Sequence, residues 1–267
     1  MSHLTLTQRA FATPGNSPSS RVAVLVHGGG VTRDEGGFFT RMAEGLARAG
    51  VASLRFDLRG HGTSQGHQRD LTLSGVVNDI RAAVDHAQEL TPPADGGVTL
   101  LGASFSGGLC AFYTTHHPEM VDSLVLLNPL VDYKKRFIDD KPYWEGDRIA
   151  SDEGETLLRD GFLPHSPTFK LGRALFNEVH YLRPDRVLGQ VRCPALIVHG
   201  TADTFIPVES SRRAVGEISS PARLWEIDGA QHGIAVHEDP AYADPQTQKW
   251  QSEVIEEVSR WITRPRA

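Results

Sequence analysis

The chain has 267 residues, a formal net charge of -6 and a sequence pI near 6.0. This weakly acidic balance provides no basic field for nucleic acid or for an anionic membrane surface, and no uncharged apolar stretch is long enough to span a membrane. The length and the 39% of hydrophobic residues suffice for a sizeable core. We therefore expect a soluble globular protein that does not bind nucleic acid or membranes.

The amino-terminal residues and the cysteines bear on the compartment. The chain begins Met-Ser-His-Leu-Thr, without a basic segment that leads into an apolar one, so we expect no secretion signal. Its two cysteines, Cys110 and Cys193, fall in segments predicted to be buried. We expect inert, reduced thiols and a cytoplasmic location.

Strand-like and helix-like segments alternate in the first part of the chain. The alternation of polar and apolar residues from Leu4 to Phe11 predicts an edge strand, and the cluster from Pro14 to Pro18 predicts a turn. Short β-rich apolar runs predict buried strands over 22–26, 51–56 and 98–101. Apolar residues recur at helical spacing between these strands, at Met42, Leu46 and Ala49 before a C-cap at Gly50, and at Val76, Val77, Ile80, Val84 and Ala87.

The same alternation continues in the second part. A helix is predicted over 108–116, and strands are predicted over 123–127, 195–199 and 222–227. A last helix has one apolar face, formed by Trp250, Val254, Ile255, Val258, Trp261 and Ile262. Strands that alternate with helices predict an α/β fold with a mostly parallel sheet covered on both faces. Its ligand is expected at the carboxyl ends of the strands.

One segment interrupts this alternation. We expect residues 1–129 and 191–267 to form the core, and residues 130–190 to form a helical cap or lid over the active edge of the sheet. The insertion is rich in aromatic residues, which form either the cap's own small core or an apolar pocket for an acyl or aryl group. The candidate pocket residues are Tyr133, Phe137, Tyr143, Trp144 and Phe162.

The segment Gly102-Ala103-Ser104-Phe105-Ser106-Gly107 directly follows a predicted strand and precedes a helix. A serine on such a sharp turn has an exposed hydroxyl, and the helix amino end faces developing negative charge. The usual pattern is Gly-x-Ser-x-Gly, in which the last position is glycine and not Ser106. The segment therefore predicts Ser104 as a nucleophile, with one irregular residue.

Residues for the other steps of serine catalysis follow the later strands. His232 lies in a loop of small residues after the last predicted strand, and Asp203 follows the strand before it. The order serine, aspartate, histidine is that of an α/β-type hydrolase triad. We expect His232 to act as the base and Asp203 to orient it.

Backbone groups can supply the oxyanion hole. Gly29 follows the His27-Gly28 pair after the first buried strand, and Phe105 follows the nucleophile. Their N–H groups can converge on one oxygen. The glycine run is not followed by the Lys-Ser or Lys-Thr pair of a phosphate-binding loop, so nucleotide binding is disfavoured.

Several segments resemble a known family: Val26-His27-Gly28-Gly29, Ala52 to Ser64, Leu101-Gly102-Ala103-Ser104, His199 to Asp203, and Gly229-Ala230-Gln231-His232. The chain resembles the α/β-hydrolase superfamily and is most similar to cinnamoyl and feruloyl esterases and related serine hydrolases. The resemblance covers about 21–127 and 191–262 and leaves the cap unmatched. It implies catalysis by Ser104, Asp203 and His232, with Asp57, Arg59 and His61 holding a turn.

Ser106 is the main departure from this family. A serine here implies a slightly displaced turn or a local hydrogen bond of its hydroxyl. The Ser-x-Ser pattern also resembles acyl thioesterases, and it leaves Ser106 as a rival nucleophile. The histidines His116, His117 and His237 lack spaced partners for a metal.

We therefore expect a serine hydrolase that cleaves a small carboxylic ester or thioester with a hydrophobic acyl or aryl group, without cofactor or metal. The alternative is a thioesterase or acyltransferase that acts on intermediates bound to an acyl carrier protein. A more distant alternative is a non-catalytic member of the fold that binds a hydrophobic ligand. The sequence leaves the oligomeric state open.

Overall fold

The computed structural model describes residues 21–92, 96–237 and 239–265. The predicted strand from Leu4 to Phe11 and the turn after it lie outside these residues. In chain order the described strands are β1 (Val22–Val26), β2 (Ala52–Arg55), β3 (Val98–Ala103), β4 (Val121–Leu127), β5 (Trp144–Glu145), β6 (Arg148–Ile149), β7 (Phe162–Ser166), β8 (Phe169–Gly172), β9 (Ala195–Gly200) and β10 (Ala222–Ile227). The described α-helices are α1 (Phe38–Arg48), α2 (Leu73–Leu90), α3 (Gly107–His116), α4 (Ser151–Asp160), α5 (Arg173–Glu178), α6 (Glu209–Glu217) and α7 (Pro245–Thr263).

The central sheet has the strand order β10-β9-β4-β3-β1-β2, and neighbouring strands run parallel. The α/β fold class predicted from the sequence is confirmed. Because all six strands run in the same direction, their carboxyl ends meet at one edge. Ser104 follows β3, Asp203 lies in the loop after β9, and His232 lies in the loop after β10.

Helices cover both faces of this sheet. Along β1, Val24 packs in a cluster with side chains of α2 and α3, whereas Leu25 packs in a second cluster with side chains of α1 and α7. This alternation follows from the two-residue period of a strand. A strand that is apolar on both faces is typical of a parallel sheet, which explains the short continuous apolar runs in the sequence.

Residues 130–190, which the sequence predicts to form a helical cap, are not purely helical. Besides α4 and α5, they contain a π-helical turn at Lys135–Asp139 and two antiparallel pairs, β5 with β6 and β7 with β8. In the second pair, Leu163 lies opposite Leu171, and both are buried while Pro164 and Lys170 are exposed. This period-two pattern is the sequence signal for a hairpin.

The positions of the cysteines and the character of the helices bear on two further predictions from the sequence. Cys110 and Cys193 are both buried. Among the helices within the described ranges, none combines the length and the apolar character that crossing a membrane would require.

Two glycine-to-alanine substitutions should have opposite effects on stability. A Cβ at Gly45 in α1 would lie 2.2 Å from Cγ2 of Ile255 in α7, whereas a Cβ at Gly216 in α6 meets nothing within 4 Å. We expect Gly45→Ala to lower the free energy of unfolding by about 1–3 kcal/mol through overpacking. Gly216→Ala should raise it by about 0.5–1 kcal/mol because alanine favours the helix. Urea unfolding checks both, and an unchanged midpoint for Gly45→Ala would contradict the close approach of α1 and α7.

Candidate active site

Ser104 lies at a sharp turn between β3 and α3. Its φ angle is +49°, a left-handed conformation that non-glycine residues rarely adopt, and a 3₁₀ turn at Ser104–Ser106 leads into the helix. The backbone N–H of Leu130 donates to the Ser104 carbonyl at 2.9 Å and holds the turn from the next loop. This strained strand-to-helix turn is typical of a serine nucleophile.

Three side chains form a continuous hydrogen-bonded chain. Oγ of Ser104 is 2.9 Å from Nε2 of His232, and Nδ1 of His232 is 2.8 Å from Oδ2 of Asp203. Asp203 is buried, while His232 remains partly accessible. The structure thus brings together the three residues that the sequence places after separate strands.

Asp203 is surrounded by hydrogen-bond donors. Its Oδ1 accepts the backbone N–H groups of Phe205 and Ile206, both at 2.8 Å, and its Oδ2 accepts Nδ2 of Asn128 at 2.6 Å. Burial alone would raise the pKa of Asp203, but hydrogen bonds from His199 and His232 outweigh burial and keep the pKa well below its ordinary value. The carboxylate therefore remains charged beside His232 at neutral pH.

The loop after β1 is held on both sides of Gly29. The Gly28 N–H donates to Oε2 of Glu35 at 2.7 Å, and the Gly30 N–H donates to Nε2 of His61 at 3.1 Å. The Gly29 N–H makes no hydrogen bond within the described ranges 21–92, 96–237 and 239–265. A Cβ at Gly29 would lie 2.6 Å from the Phe169 ring, so any larger residue there would require this ring to move.

The turn after β2 supports this loop. His61 receives the Gly30 N–H, and its Nδ1 lies 3.0 Å from the Arg59 carbonyl. Arg59 forms an ion pair with buried Asp79, at 2.6 Å, and Asp57 binds Arg33 and the Thr63 N–H. These groups therefore have the structural role expected of them, and His61 in addition fixes the position of the Gly29 loop.

Ser106 is fully buried, and its hydroxyl donates to the carbonyl of His27 at the end of β1. The hydrogen bond anticipated for this hydroxyl therefore crosses between strands and is not local. With its hydroxyl engaged there and no contact with His232 among the described hydrogen bonds, Ser106 does not have the geometry of a nucleophile. Its role is to tie the turn at Ser104 to the Gly29 loop.

A narrow cavity of about 30 Å³ adjoins Ser104. Aromatic side chains form much of its wall, together with His165 and Arg136. The aromatic members are Phe105, Phe137, Phe169 and Phe205. Of these, Phe169 comes from the β7–β8 hairpin and Phe205 from the loop that carries Asp203.

The five candidate pocket residues have different positions. Phe137 lines the cavity, and the Tyr133 hydroxyl donates to the Phe105 carbonyl beneath it. Phe162 lies under Lys170 at another cleft, while Tyr143 and Trp144 pack against the larger hydrophobic core. The sequence reasoning thus missed the pocket contributions of Phe169, Phe205, His165 and Arg136. Of these four residues, only Phe205 could have been recognised from the sequence, because it lies two residues after Asp203.

Glu35 is a further residue that the sequence reasoning missed. It is buried and lines a small cavity together with Ser104 and His232. Burial raises its pKa from an ordinary value of 4.5 to about 7, against the opposing effects of the Gly28 N–H and of His232. A carboxyl group whose pKa is raised to about 7 thus lies beside Ser104 and His232.

Among the described residues, no group of three or more histidine, cysteine, aspartate and glutamate side chains is arranged to hold a metal ion.

Replacing Glu35 with glutamine should change how stability depends on pH. The folded state binds the Glu35 proton more tightly than the unfolded state does, so protonated Glu35 stabilises the folded protein at low pH. This contribution to the free energy of unfolding is lost as pH rises from about 4.5 to about 7. The advantage of the wild type over Glu35→Gln should fall by about 3 kcal/mol across that window and then level off. Glutamine can still accept the Gly28 N–H. Urea unfolding of both proteins between pH 4 and pH 8 measures the difference, and parallel profiles would argue against the shifted pKa.

Known hydrolases resemble the chain in sequence. A family described as "Serine aminopeptidase, S33" matches residues 17–148. A monoacylglycerol lipase from Mycolicibacterium smegmatis is 27% identical, and the alignment covers 94% of this chain and 90% of the lipase. A human mitochondrial palmitoyl-protein thioesterase, ABHD10, is 26% identical over 64% of this chain, which spans only 53% of that protein's length.

Solved structures extend the similarity to the fold. Est1E from Butyrivibrio proteoclasticus with bound ferulic acid superposes with a TM-score of 0.74 at 23% identity, covering 95% of this chain and 94% of that one. A Paleococcus ferrophilus monoacylglycerol lipase superposes with a TM-score of 0.67 at 22% identity, covering 95% and 96%. With its parallel sheet covered by helices on both faces and these structural neighbours, the chain has the α/β-hydrolase fold and is similar in sequence to ester and thioester hydrolases.

Proposed function

We propose that the protein is a serine hydrolase of carboxylic esters or thioesters that works through an acyl-serine intermediate. The observation that carries this proposal is the chain of hydrogen bonds from Ser104 through His232 to Asp203, at 2.9 and 2.8 Å. Nε2 of His232 removes the hydroxyl proton as Ser104 attacks the acyl carbon, and it then protonates the leaving alcohol or thiol. Water, activated by the same nitrogen, releases the acid and restores Ser104.

Asp203 acts on His232 and not on the substrate. Its carboxylate accepts the Nδ1 proton of His232, which fixes the tautomer and stabilises the imidazolium formed during attack. The four other donors around this carboxylate keep it ionised and rigid. Such preorganisation lowers the cost of placing positive charge on His232 in the transition state.

The oxyanion is assigned to the backbone N–H groups of Gly29 and Phe105. Glu35 and His61 engage the N–H groups on either side of Gly29, so the loop presents the group between them. Phe105 is the middle residue of the 3₁₀ turn that leads into α3, whose amino end favours negative charge. Loss of one such donor typically costs about a hundredfold to a thousandfold in rate.

The aromatic wall beside Ser104 supports a hydrophobic acyl or aryl group in the substrate. Edge-on contacts order the rings, with Phe105 lying 5.1 Å from Phe169 and 5.6 Å from Tyr133 between ring centres. The lipase and the feruloyl-binding relative, whose names specify a lipid ester and ferulic acid, fit this class of substrate. Small esters with an apolar arm are therefore the first substrates to test.

Thioesters are the second candidate because one relative is a palmitoyl-protein thioesterase. The proposed chemistry is the same up to the acyl-serine, and only the leaving group differs. Delivery by an acyl carrier protein, with hydrolysis or transfer of the acyl group, remains within this second candidate.

The nucleophile can be tested with a pair of neighbouring serines. We expect Ser104→Ala to lower kcat/KM on p-nitrophenyl butyrate by about 10⁴-fold or more, because the covalent step is lost. Ser106→Ala should still react with a fluorophosphonate probe at Ser104, although loss of the hydrogen bond to His27 should cost about 1–3 kcal/mol of stability. Initial rates, urea unfolding and mass spectrometry of the labelled peptide supply the measurements. Labelling at Ser106, or substantial turnover by Ser104→Ala, would reject the assignment.

Ester and thioester activity can be separated with matched substrates. We expect wild-type protein to hydrolyse the butyryl oxygen ester and the butyryl thioester of the same aliphatic chain, both through Ser104. The thioester-to-ester ratio of kcat/KM is compared with the same ratio of rate constants for hydroxide-catalysed hydrolysis. An enzymatic ratio at least about tenfold higher than the hydroxide ratio would favour the thioesterase role, since tenfold corresponds to about 1.36 kcal/mol in the activation barrier. Ser104→Ala serves as the blank for both reactions.

A further inference from the structure

Arg136 is a cation in the wall of the candidate active site. It lies on the π-helical turn at Lys135–Asp139, is partly buried, and its guanidinium carbon is 4.3 Å from the centre of the Phe205 ring. Within the described part of the chain its side chain makes no ion pair or hydrogen bond. Arginine keeps its charge even when burial lowers its pKa, as it does here. A partly desolvated guanidinium is therefore available to a ligand.

The position of Arg136 connects two spaces. It lines the narrow cavity at Ser104 and also a larger cleft of about 420 Å³, and Leu130, Phe205 and Ile206 are shared by both. A substrate whose ester lies at Ser104 can extend past Phe205 into this cleft. Arg136 lies at the junction of the two spaces.

Most of the carboxylates that line the cleft form ion pairs with other cations, and Asp140 and Asp203 attract Arg136 through space without an ion pair among the described residues. Arg213 and Glu217 lie four residues apart on α6 and add one exposed positive charge and one exposed negative charge to the cleft. The engaged pairs are Asp132 and Asp185 with Arg183, Asp140 with Lys135, and Glu209 with Arg212.

His165 adds a second unsatisfied group beside Arg136. It lines the same cavity, and its Nδ1 is buried without a hydrogen-bond partner in the described residues. Its ring makes edge-on contacts with Phe137 at 5.1 Å and Phe205 at 5.6 Å. Buried polar atoms normally have a partner, so a missing one points to a ligand or water.

We propose that Arg136 and His165 form a specificity subsite for a carboxylate at the far end of an otherwise apolar substrate. The guanidinium supplies charge and paired donors that match a carboxylate, and a ring nitrogen of His165 supplies a further hydrogen bond. The surrounding phenylalanines hold the apolar arm between this carboxylate and the ester. The inference rests on the proposed function, since it names the substrate class of the same site.

The test compares charged and uncharged substrates of similar size. For a carboxylate on the acyl arm, the pair is the mono-p-nitrophenyl ester of glutaric acid and p-nitrophenyl hexanoate. For a carboxylate on the alcohol arm, it is para-carboxyphenyl acetate and para-tolyl acetate. In each pair the ratio of charged to uncharged kcat/KM is measured, so that intrinsic reactivity cancels between protein variants.

We expect Arg136→Gln to lower this ratio about 10- to 100-fold for one of the two substrate pairs, the pair whose carboxylate reaches the subsite. This is the range expected when a hydrogen bond to a charged group is lost. Arg136→Lys should lose less, because it keeps the charge but not the paired donors. His165→Phe should lower the ratio by a smaller factor. Arg213→Gln is the matched control, since it removes the same charge from the exposed part of the cleft and should preserve the ratio.

Different outcomes distinguish failure of the proposed subsite from failure of the proposed function. If the wild type hydrolyses the uncharged esters through Ser104 but the ratio is the same in Arg136→Gln, Arg136→Lys and His165→Phe, the subsite is refuted and the proposed function stands. An equal drop for Arg213→Gln would assign the effect to the general field of the cleft, which also refutes the subsite. Absence of turnover on every ester, with no fluorophosphonate labelling, would overturn the proposed function and this inference with it.

Discussion

The strained backbone at Ser104 is the constraint on which the rest of the candidate site depends. A φ of +49° is costly for a serine, so the neighbouring structure has to hold it. The Leu130 N–H binds the Ser104 carbonyl, and the Ser106 hydroxyl fastens the following residues to β1. The conformation is thus held by contacts with the segments that directly follow β4 and β1, and the Ser104 hydroxyl lies 2.9 Å from Nε2 of His232.

Buried polar groups extend this support to the residues that assist Ser104. His27 is neutral, since burial and nearby His61 lower its pKa to about 3, and its Nε2 accepts the Leu58 N–H. Its carbonyl receives the Ser106 hydroxyl, so one residue connects the β2 turn, the Gly29 loop and the serine turn. Each of these hydrogen bonds lies where water is excluded, and an unpaired member would be costly.

The sequence predicted the fold and the positions of Ser104, Asp203 and His232 after separate strands, because both depend on local patterns. Apolar runs mark the parallel strands, and each of the three residues follows one of them within a few positions. The pocket was harder to predict because its walls come from distant segments that meet only in the folded chain. Tyr133 and Trp144 have the right composition for a pocket but pack elsewhere, whereas Phe169 reaches Gly29 through a hairpin that the sequence analysis did not identify. Glu35 belongs to no sequence motif, because its burial and its hydrogen bond with the Gly28 N–H arise only in the folded chain.

The apolar side chains of the insertion are continuous with those of the sheet. Leu163, Phe169 and Leu171 belong to the same cluster as β3 and α3 residues, and Gly172 approaches the Arg69 carbonyl so closely that a Cβ would lie 1.7 Å from it. A segment that shares its core with the rest of a protein cannot melt without exposing that core. Residues 130–190 and the sheet should therefore unfold in a single cooperative transition, and the insertion is not expected to survive as an independent folding unit.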